Sequence, residues 1–114
     1  MRFLHYRQGD VLEKNRFGIL EPLRHQTNRS PRGLDAVLMP LVGFDRAGHR
    51  LGMGGGFYDR AFAFRFARSH GRPLLIGLAH SIQEVDSLDA CHWDVPMDAI
   101  VTDRAVFWLR KQRD

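Results

Sequence analysis

Glycines are concentrated in one short stretch of this 114-residue sequence, where four of the 11 glycines occupy positions 52, 54, 55 and 56. An apolar run over 36–42 precedes the stretch, and a helix-like run over 57–70 follows it. A strand, a glycine-rich turn and a helix in that order point backbone N–H groups and a helix N-terminus at an anion. Glycine also lets a ligand approach the backbone closely. Phosphate binding is therefore the first hypothesis.

The glycine stretch does not follow the two common phosphate-binding patterns. The Gly-Lys-Ser/Thr of a P-loop is missing, and Gly52-Met53-Gly54 begins a dinucleotide fingerprint whose last glycine falls on Phe57. A tight strand-to-helix turn without any ligand is the alternative interpretation. The glycines alone leave both interpretations open.

The charge balance favours an anionic partner. Seventeen lysines and arginines against 13 acidic residues give a net charge of +4 and a pI of about 10.0. Nucleotides, polyglutamylated small molecules and nucleic acids all suit that balance. The arginines are dispersed and not interleaved with aromatic residues, so a nucleic-acid-binding domain is the least favoured class and we expect no nucleic-acid partner.

Other residues with reactive side chains give weaker signals. The six histidines show no metal-ligand spacing, and the one cysteine, Cys91, cannot form an internal disulfide. The sequence has no run of about 18 apolar residues, which a membrane-spanning helix would need. Its N-terminus also lacks the apolar core of a signal peptide. We therefore expect a cytoplasmic protein without a membrane partner.

Three apolar runs predict the strands that would position the glycine stretch. They cover 34–42, 74–79 and 99–102, and the first is nearly continuous, which is typical of a strand covered on both faces of a parallel sheet. A short strand is predicted over 1–7, and a turn or short helix over 8–15. The edge at the carboxyl end of the first long strand is where open α/β sheets bind ligands.

Helices are predicted over 57–70, 81–88 and 104–112. In the first, Phe62, Phe64 and Phe66 are predicted core residues and Arg65 faces solvent; in the second, Ser81 and Glu84 would form a capping box. Alternating strands and helices predict an α/β fold, a three-layer α/β/α arrangement with a mostly parallel sheet. At this length, residues 1–114 form one domain at most.

Several segments together resemble the 5-formyltetrahydrofolate cyclo-ligase (methenyltetrahydrofolate synthetase) family. The central ones are Leu-Asp-Ala-Val-Leu-Met-Pro-Leu-Val-Gly-Phe-Asp over 34–45 and Arg-Leu-Gly-Met-Gly-Gly-Gly-Phe-Tyr-Asp-Arg over 50–60. Asn-Arg-Phe-Gly-Ile-Leu-Glu-Pro over 15–22, Leu-Ile-Gly-Leu-Ala over 75–79 and Asp-Val-Pro-Met-Asp-Ala-Ile-Val-Thr over 94–102 agree in order. Family members carry a further N-terminal segment, so the resemblance implies a partial domain.

The resemblance implies an activity and its co-substrates. The expected reaction converts 5-formyltetrahydrofolate to 5,10-methenyltetrahydrofolate with ATP and Mg²⁺, releasing ADP and phosphate. The family's enzyme is expected to act as a monomer on these two small-molecule substrates. A non-catalytic nucleotide- or folate-binding module, or an inactive fragment of that enzyme, is the alternative.

The resemblance also assigns the site residues. Arg50 would be catalytic and would hold phosphate oxygens with its fork of donors. The nucleotide would be bound by Arg50, Leu51, Gly52, Met53, Gly54, Gly55, Gly56, Phe57 and Tyr58. The folate would border Met53, Gly54, Gly55, Gly56 and Phe57. Asp59 and Asp94 would hold Mg²⁺, and Asp98 is the substitute for Asp94.

Overall fold

Short strands and single helical turns make up the computed structural model, which describes residues 3–23, 28–52, 54, 56–67 and 71–109. The strands are β1 (Phe3–Leu4), β2 (Leu12–Lys14), β3 (Leu20–Pro22), β4 (Asn28–Arg29), β5 (Ala36–Pro40), β6 (Gly43–Phe44), β7 (Arg50–Leu51), β8 (Leu74–Leu78), β9 (Ala99–Val101) and β10 (Val106–Trp108). The α-helix is α1 (Phe57–Ala61), and 3₁₀ helices cover Pro31–Gly33, Ala63–Ala67 and Ser81–Gln83.

A four-stranded sheet with the order β10-β9-β8-β5 forms the centre of the fold. β5, β8 and β9 run parallel, and β10 is antiparallel to β9 at one edge. The predicted α/β class with a mostly parallel sheet is thereby confirmed. The steps from β5 to β8 and from β8 to β9 go the same way across the sheet, so right-handed crossovers bring both connections to one face.

Three two-stranded units surround this sheet: β1 with β4, β2 with β3, and β6 with β7. The strand predicted over 1–7 is present as β1. The turn predicted over 8–15 is present at its start, where the amide of Asp10 donates to the carbonyl oxygen of Arg7 (3.0 Å). No helix follows it, because β2 occupies Leu12–Lys14 and pairs with β3.

The core lies on the face of the sheet that carries the crossover connections. It joins side chains from the strands with side chains from both connections: Val37, Met39, Phe44, Phe62, Leu75, Val95, Met97 and Ile100. All of them are at most 8% exposed.

β5 alternates between exposed and buried side chains instead of being buried throughout. Val37 and Met39 are buried, whereas Ala36, Leu38 and Pro40 are exposed. The predicted strand is correct in place, but the prediction that both its faces are covered is wrong. The described residues supply the helical layer for one face of the sheet.

The helix predicted over 57–70 breaks after five residues. α1 ends at Ala61, and a 3₁₀ helix replaces the remainder of the described part. Phe62 is a core residue as predicted, but Phe66 is 53% exposed and Arg65 is buried. Arg65 turns inward because its guanidinium pairs with the carboxylate of Asp98.

The two remaining helix predictions are also corrected. A 3₁₀ turn, Ser81–Gln83, replaces the helix over 81–88, and its N-cap is His80, whose amide donates to Oε1 of Gln83 (2.8 Å). β10 replaces the described part of the helix over 104–112, because three successive β-branched or aromatic residues favour a strand. Positions 110–112 lie outside the described residues. No helix in the described ranges is long and apolar enough to cross a membrane.

Candidate active site

Asp45 organises the loop between β6 and β7 that leads into the glycine stretch. Its carboxylate is 2% exposed and accepts hydrogen bonds from the amides of Ala47 and His49 (both 3.0 Å) and of Leu88 (2.9 Å). The amides of Ala47 and His49 donate to Oδ1, whereas Oδ2 accepts from Leu88 and also lies 2.9 Å from Nδ1 of His49. Burial raises the pKa of Asp45, but the bonds from Leu88 and His49 outweigh it and hold the pKa below its ordinary value.

Arg50, in β7, is held across the entrance of the glycine stretch. Its Nη1 donates to the carbonyl oxygen of Pro40 (3.2 Å), and its guanidinium lies 5.2 Å from the ring centroid of Tyr58. A Cβ at position 52 would lie 2.8 Å from Nη1 of Arg50. Gly52 is therefore required for the guanidinium to occupy this place.

Gly54 and Gly56 give the stretch its backbone shape. Their φ angles are +93° and +67°, in the left-handed region that side-chain-bearing residues rarely adopt. Gly56 is the N-cap of α1 without a side-chain cap. Because α1 has five residues, its dipole adds less to an anion site than the long predicted helix would have added.

A cavity of about 370 Å³ opens against this loop. It lies beyond the carboxyl end of β5, the edge at which the sequence predicted ligand binding. Its walls come from the end of β5, from β7, from the glycine stretch, from α1 and from the loop before β9. The lining residues are Pro40, Leu41, Arg50, Leu51, Gly52, Gly54, Gly56, Phe57, Tyr58, Asp59, Trp93 and Asp94.

Every described residue that the sequence assigned to the nucleotide, the folate or the metal lies on this cavity. Those residues are Arg50, Leu51, Gly52, Gly54, Gly56, Phe57, Tyr58, Asp59 and Asp94. Met53 and Gly55 lie outside the described residues. The common location supports a shared site, and the individual binding roles stay predictions.

Asp59 and Asp94 bring two carboxylates to the cavity from distant parts of the chain. Oδ1 of Asp59 accepts from the amide of Val95 (3.0 Å), and Oδ2 of Asp94 accepts from the amide of Cys91 (2.9 Å). No group of three or more His, Cys, Asp or Glu residues that could hold a metal occurs in the described part of the chain. Two carboxylates on one cavity are ligands that fit Mg²⁺, which takes its other ligands from phosphates and water.

Asp98 does not line the cavity. Both its oxygens accept from Nη2 of Arg65 (3.1 and 3.0 Å), and Oδ2 also accepts from the amide of Leu75 (2.8 Å). A buried carboxylate with these donors serves to join β8, β9 and the 3₁₀ helix Ala63–Ala67. The geometry favours Asp94 over its substitute.

The sequence interpretation missed Trp93 as a wall of the cavity. Its side chain is 59% exposed, and its ring meets that of His92 edge-on, with centroids 4.8 Å apart. An exposed indole beside a carboxylate offers a stacking surface for a flat ring. The sequence signal that could have identified Trp93 was its position next to Asp94, a predicted metal ligand.

Comparisons with known proteins agree with this arrangement. A sequence model of the 5-formyltetrahydrofolate cyclo-ligase family matches residues 1–103. The chain is 44% identical over 96 residues to the 5-formyltetrahydrofolate cyclo-ligase of Haemophilus influenzae, covering 83% of this chain and 50% of the relative. It is 41% identical over 106 residues to that of Escherichia coli, covering 92% and 57%.

A solved structure shows the same similarity. The NMR structure of Aquifex aeolicus 5,10-methenyltetrahydrofolate synthetase superposes with a TM-score of 0.72 at 34% identity, over 95% of this chain and 52% of that one. The chain thus spans about half the length of the relatives that it matches.

Proposed function

The chain belongs to the 5-formyltetrahydrofolate cyclo-ligase family, and we propose that it carries the nucleotide- and folate-binding loop of an enzyme that converts 5-formyltetrahydrofolate to 5,10-methenyltetrahydrofolate. In this proposal ATP and Mg²⁺ are required, and ADP and phosphate are released. The proposed activity is that of the whole enzyme, because this chain spans only about half the length of its relatives. Cytoplasmic location, one domain over 1–114 and a monomeric state stay predictions.

One observation carries the proposal: a cation, a glycine loop and two carboxylates from separate segments line a single cavity. Phosphoryl transfer depends on positioning and charge neutralisation more than on a protein nucleophile. Arg50 supplies fixed positive charge, and the glycine stretch supplies backbone amides without side chains in the way. This set of groups is what a triphosphate needs.

The proposed chemistry has two steps. The formyl oxygen of the folate attacks the γ-phosphorus of ATP, and the bond from that phosphorus to the β–γ bridging oxygen breaks, releasing ADP. N10 of the folate then attacks the activated formyl carbon, and phosphate leaves with the former formyl oxygen as the ring closes and N10 loses its proton. Arg50 would stabilise the charge on the transferred phosphoryl group throughout.

Asp59 and Asp94 would hold the Mg²⁺ that accompanies ATP. The ion neutralises phosphate charge when it is bound. The backbone amides of Val95 and Cys91 fix one oxygen of each carboxylate. The amides thereby restrict how the two carboxylates turn towards a ligand.

The aromatic residues of the cavity are proposed to position the flat rings of the substrates. Tyr58 packs under the guanidinium of Arg50, and Phe57 packs under that of Arg60 at 5.1 Å. Trp93 is the most exposed of the three aromatic side chains and has no cation over its ring among the described contacts. It is the best placed of the three to stack on a ring of a bound substrate.

The test follows methenyltetrahydrofolate by its near-UV absorbance. The chain would be mixed with 5-formyltetrahydrofolate, ATP and Mg²⁺, alone and with the unmatched portion of the E. coli relative. An absorbance rise that requires all three reagents and this chain supports the proposal. No rise, with ATP and the folate shown not to bind by calorimetry, contradicts it.

A non-catalytic nucleotide- or folate-binding module is the second candidate. The observation that favours it is the coverage of about half of each relative, because positioning suffers when part of a site is missing. Saturable binding of ATP or folate without any absorbance rise, in the presence of the unmatched portion, would select this candidate.

A further inference from the structure

The face of the central sheet opposite the core is apolar along its whole width. Residues in register point to the same face, and one row across all four strands reads Leu38, Ile76, Ala99 and Trp108. A second row reads Pro40, Leu78, Val101 and Val106, and Ala36 pairs with Leu74. None of these ten residues is polar. We call these ten residues the open face.

Four large side chains of the open face are exposed, whereas Leu74, Ile76 and Val101 are half-buried and Ala99 is buried. Leu38, Leu78, Val106 and Trp108 are 44% to 65% exposed. Their neighbours on the core face, Val37, Met39, Leu75 and Ile100, are at most 6% exposed. A contiguous apolar surface of this kind marks an interface, and parallel sheets are nearly always covered on both faces.

The described parts of the two crossovers lie on the opposite face of the sheet. Both connections between parallel strands step from β5 towards β9, so right-handed crossovers put them on one side of the sheet. Phe62 from the first connection and Met97 from the second lie in the core on that side. A layer on the other side has to come from polypeptide beyond these two connections.

We propose that the open face is the docking surface for the polypeptide that makes up the unmatched half of the family's longer members, and that this chain binds that polypeptide non-covalently when it is supplied separately. The length supports this occupant: the H. influenzae relative and the A. aeolicus structure have about as much chain outside the match as inside it. Amphipathic helices are the expected form of the segment, because helices cover the faces of parallel sheets. The inference does not depend on the proposed catalytic function.

The test uses the full 114-residue chain, affinity-tagged and co-expressed with the untagged unmatched portion of the H. influenzae relative. The chain has two tryptophans, and Trp108 lies on the open face. In the Trp93→Phe variant, the fluorescence of the chain therefore comes from Trp108 alone and reports on that face. We expect a 1:1 complex in analytical ultracentrifugation. The emission of Trp108 should move to shorter wavelength, and its quenching by acrylamide should fall several-fold.

Matched variants locate the contact. Leu38→Arg and Val106→Arg place a charge on exposed positions of β5 and β10, so each variant keeps its fold, which circular dichroism checks. Either should weaken the complex by about a hundredfold, because a guanidinium would be buried without a partner. Ile82→Arg changes a side chain that is 90% exposed and off the sheet, and it should leave the complex intact.

Three results would overturn the proposal. One is recovery of the chain without the co-expressed segment. Another is a complex that survives Leu38→Arg and Val106→Arg with the Trp108 signal unchanged. The third is a dimer of the chain itself that shields Trp108 and is lost in Leu38→Arg, which would make a second copy the occupant. No measurement here uses ATP or folate, so failure is distinct from failure of the proposed function.

Discussion

The guanidinium of Arg50 lies over the ring of Tyr58, 5.2 Å from its centroid, so the residues before and after the glycine stretch contact each other. Arg50 is the first residue of β7, which pairs with β6, and Tyr58 is in the first turn of α1. The contact closes the base of the loop and holds a permanent charge at the rim of the cavity. The cavity is therefore organised by an arginine whose position depends on its neighbours.

Gly52→Ala should displace Arg50 without unfolding the chain. The new Cβ would lie 2.8 Å from Nη1 of Arg50, and the tip of a flexible side chain can move away at little cost in stability. We expect the ATP affinity of Gly52→Ala to fall about tenfold or more, towards the affinity of Arg50→Ala. The double variant of Gly52→Ala and Arg50→Ala should bind ATP no more weakly than Arg50→Ala alone. Calorimetric titration with Mg-ATP measures this.

The matched control is Gly33→Ala. A Cβ there meets nothing within 4 Å, and the backbone is not in the left-handed region. Equal ATP affinities for Gly52→Ala and Gly33→Ala would contradict the role given to Gly52.

Asp59→Asn and Asp94→Asn should raise the Mg²⁺ concentration needed for ATP binding. An asparagine side-chain oxygen can still accept the backbone hydrogen bond from Val95 or Cys91, so the loops should keep their shape. Losing one anionic ligand of a hard cation should shift the Mg²⁺ midpoint about tenfold or more. Titration of ATP binding against Mg²⁺ measures the midpoint, and exposed Asp89→Asn is the control. An unchanged midpoint in both variants would remove the metal assignment.

Asp45 should make the free energy of unfolding fall as the pH is lowered into the acid range. Its pKa is lowered from the ordinary value of 3.8 on folding, so its contribution is fully present above that value. The contribution should be lost as the pH falls through 3.8 towards the lower folded value. In Asp45→Asn, urea midpoints measured from pH 7 to pH 3 should therefore fall less steeply at the acid end. Parallel curves for the two proteins would show that Asp45 is not the group responsible.

Removing one partner of the buried Arg65–Asp98 pair should be costly. Asp98→Ala leaves a guanidinium that is buried at 6% exposure and takes away the acceptor of the Leu75 amide. We expect a loss of about 3–5 kcal/mol in the free energy of unfolding. Arg65→Met combined with Asp98→Leu should recover part of that loss, since both charges of the buried pair are removed. Urea denaturation of the parent and these two variants tests this, and an Asp98→Ala variant as stable as the parent would contradict it.

The sequence predicted the parallel strands, and the grouping of the candidate site residues, better than the helices. Continuous apolar runs located β5, β8 and β9, and motif residues such as Arg50 and Asp94 share one cavity. The helix over 57–70 failed because the pairing of Arg65 with distant Asp98 overrides local helical periodicity. Such long-range pairs leave no pattern in a single sequence.

The open face explains a second error. An apolar run such as 34–42 indicates a strand whose faces are both meant to be covered, yet Leu38 is exposed in this chain. The run therefore reports on a covering layer that the described residues do not supply. Trp93 was missed for a different reason, because a lone aromatic residue in a loop has no periodicity to mark it.

The most direct measurement is calorimetric titration of Mg-ATP into the parent chain, Arg50→Ala and Arg72→Ala. Arg72 is a matched arginine in an exposed ion pair with Asp35, before β8 at the opposite edge of the sheet from the cavity. A charged hydrogen bond of about 1.5–3 kcal/mol predicts a loss of roughly ten- to a hundredfold in affinity for Arg50→Ala alone, with all three proteins equally stable. No ATP binding by the parent chain, or equal affinities for the three proteins, would contradict a nucleotide site at the glycine loop.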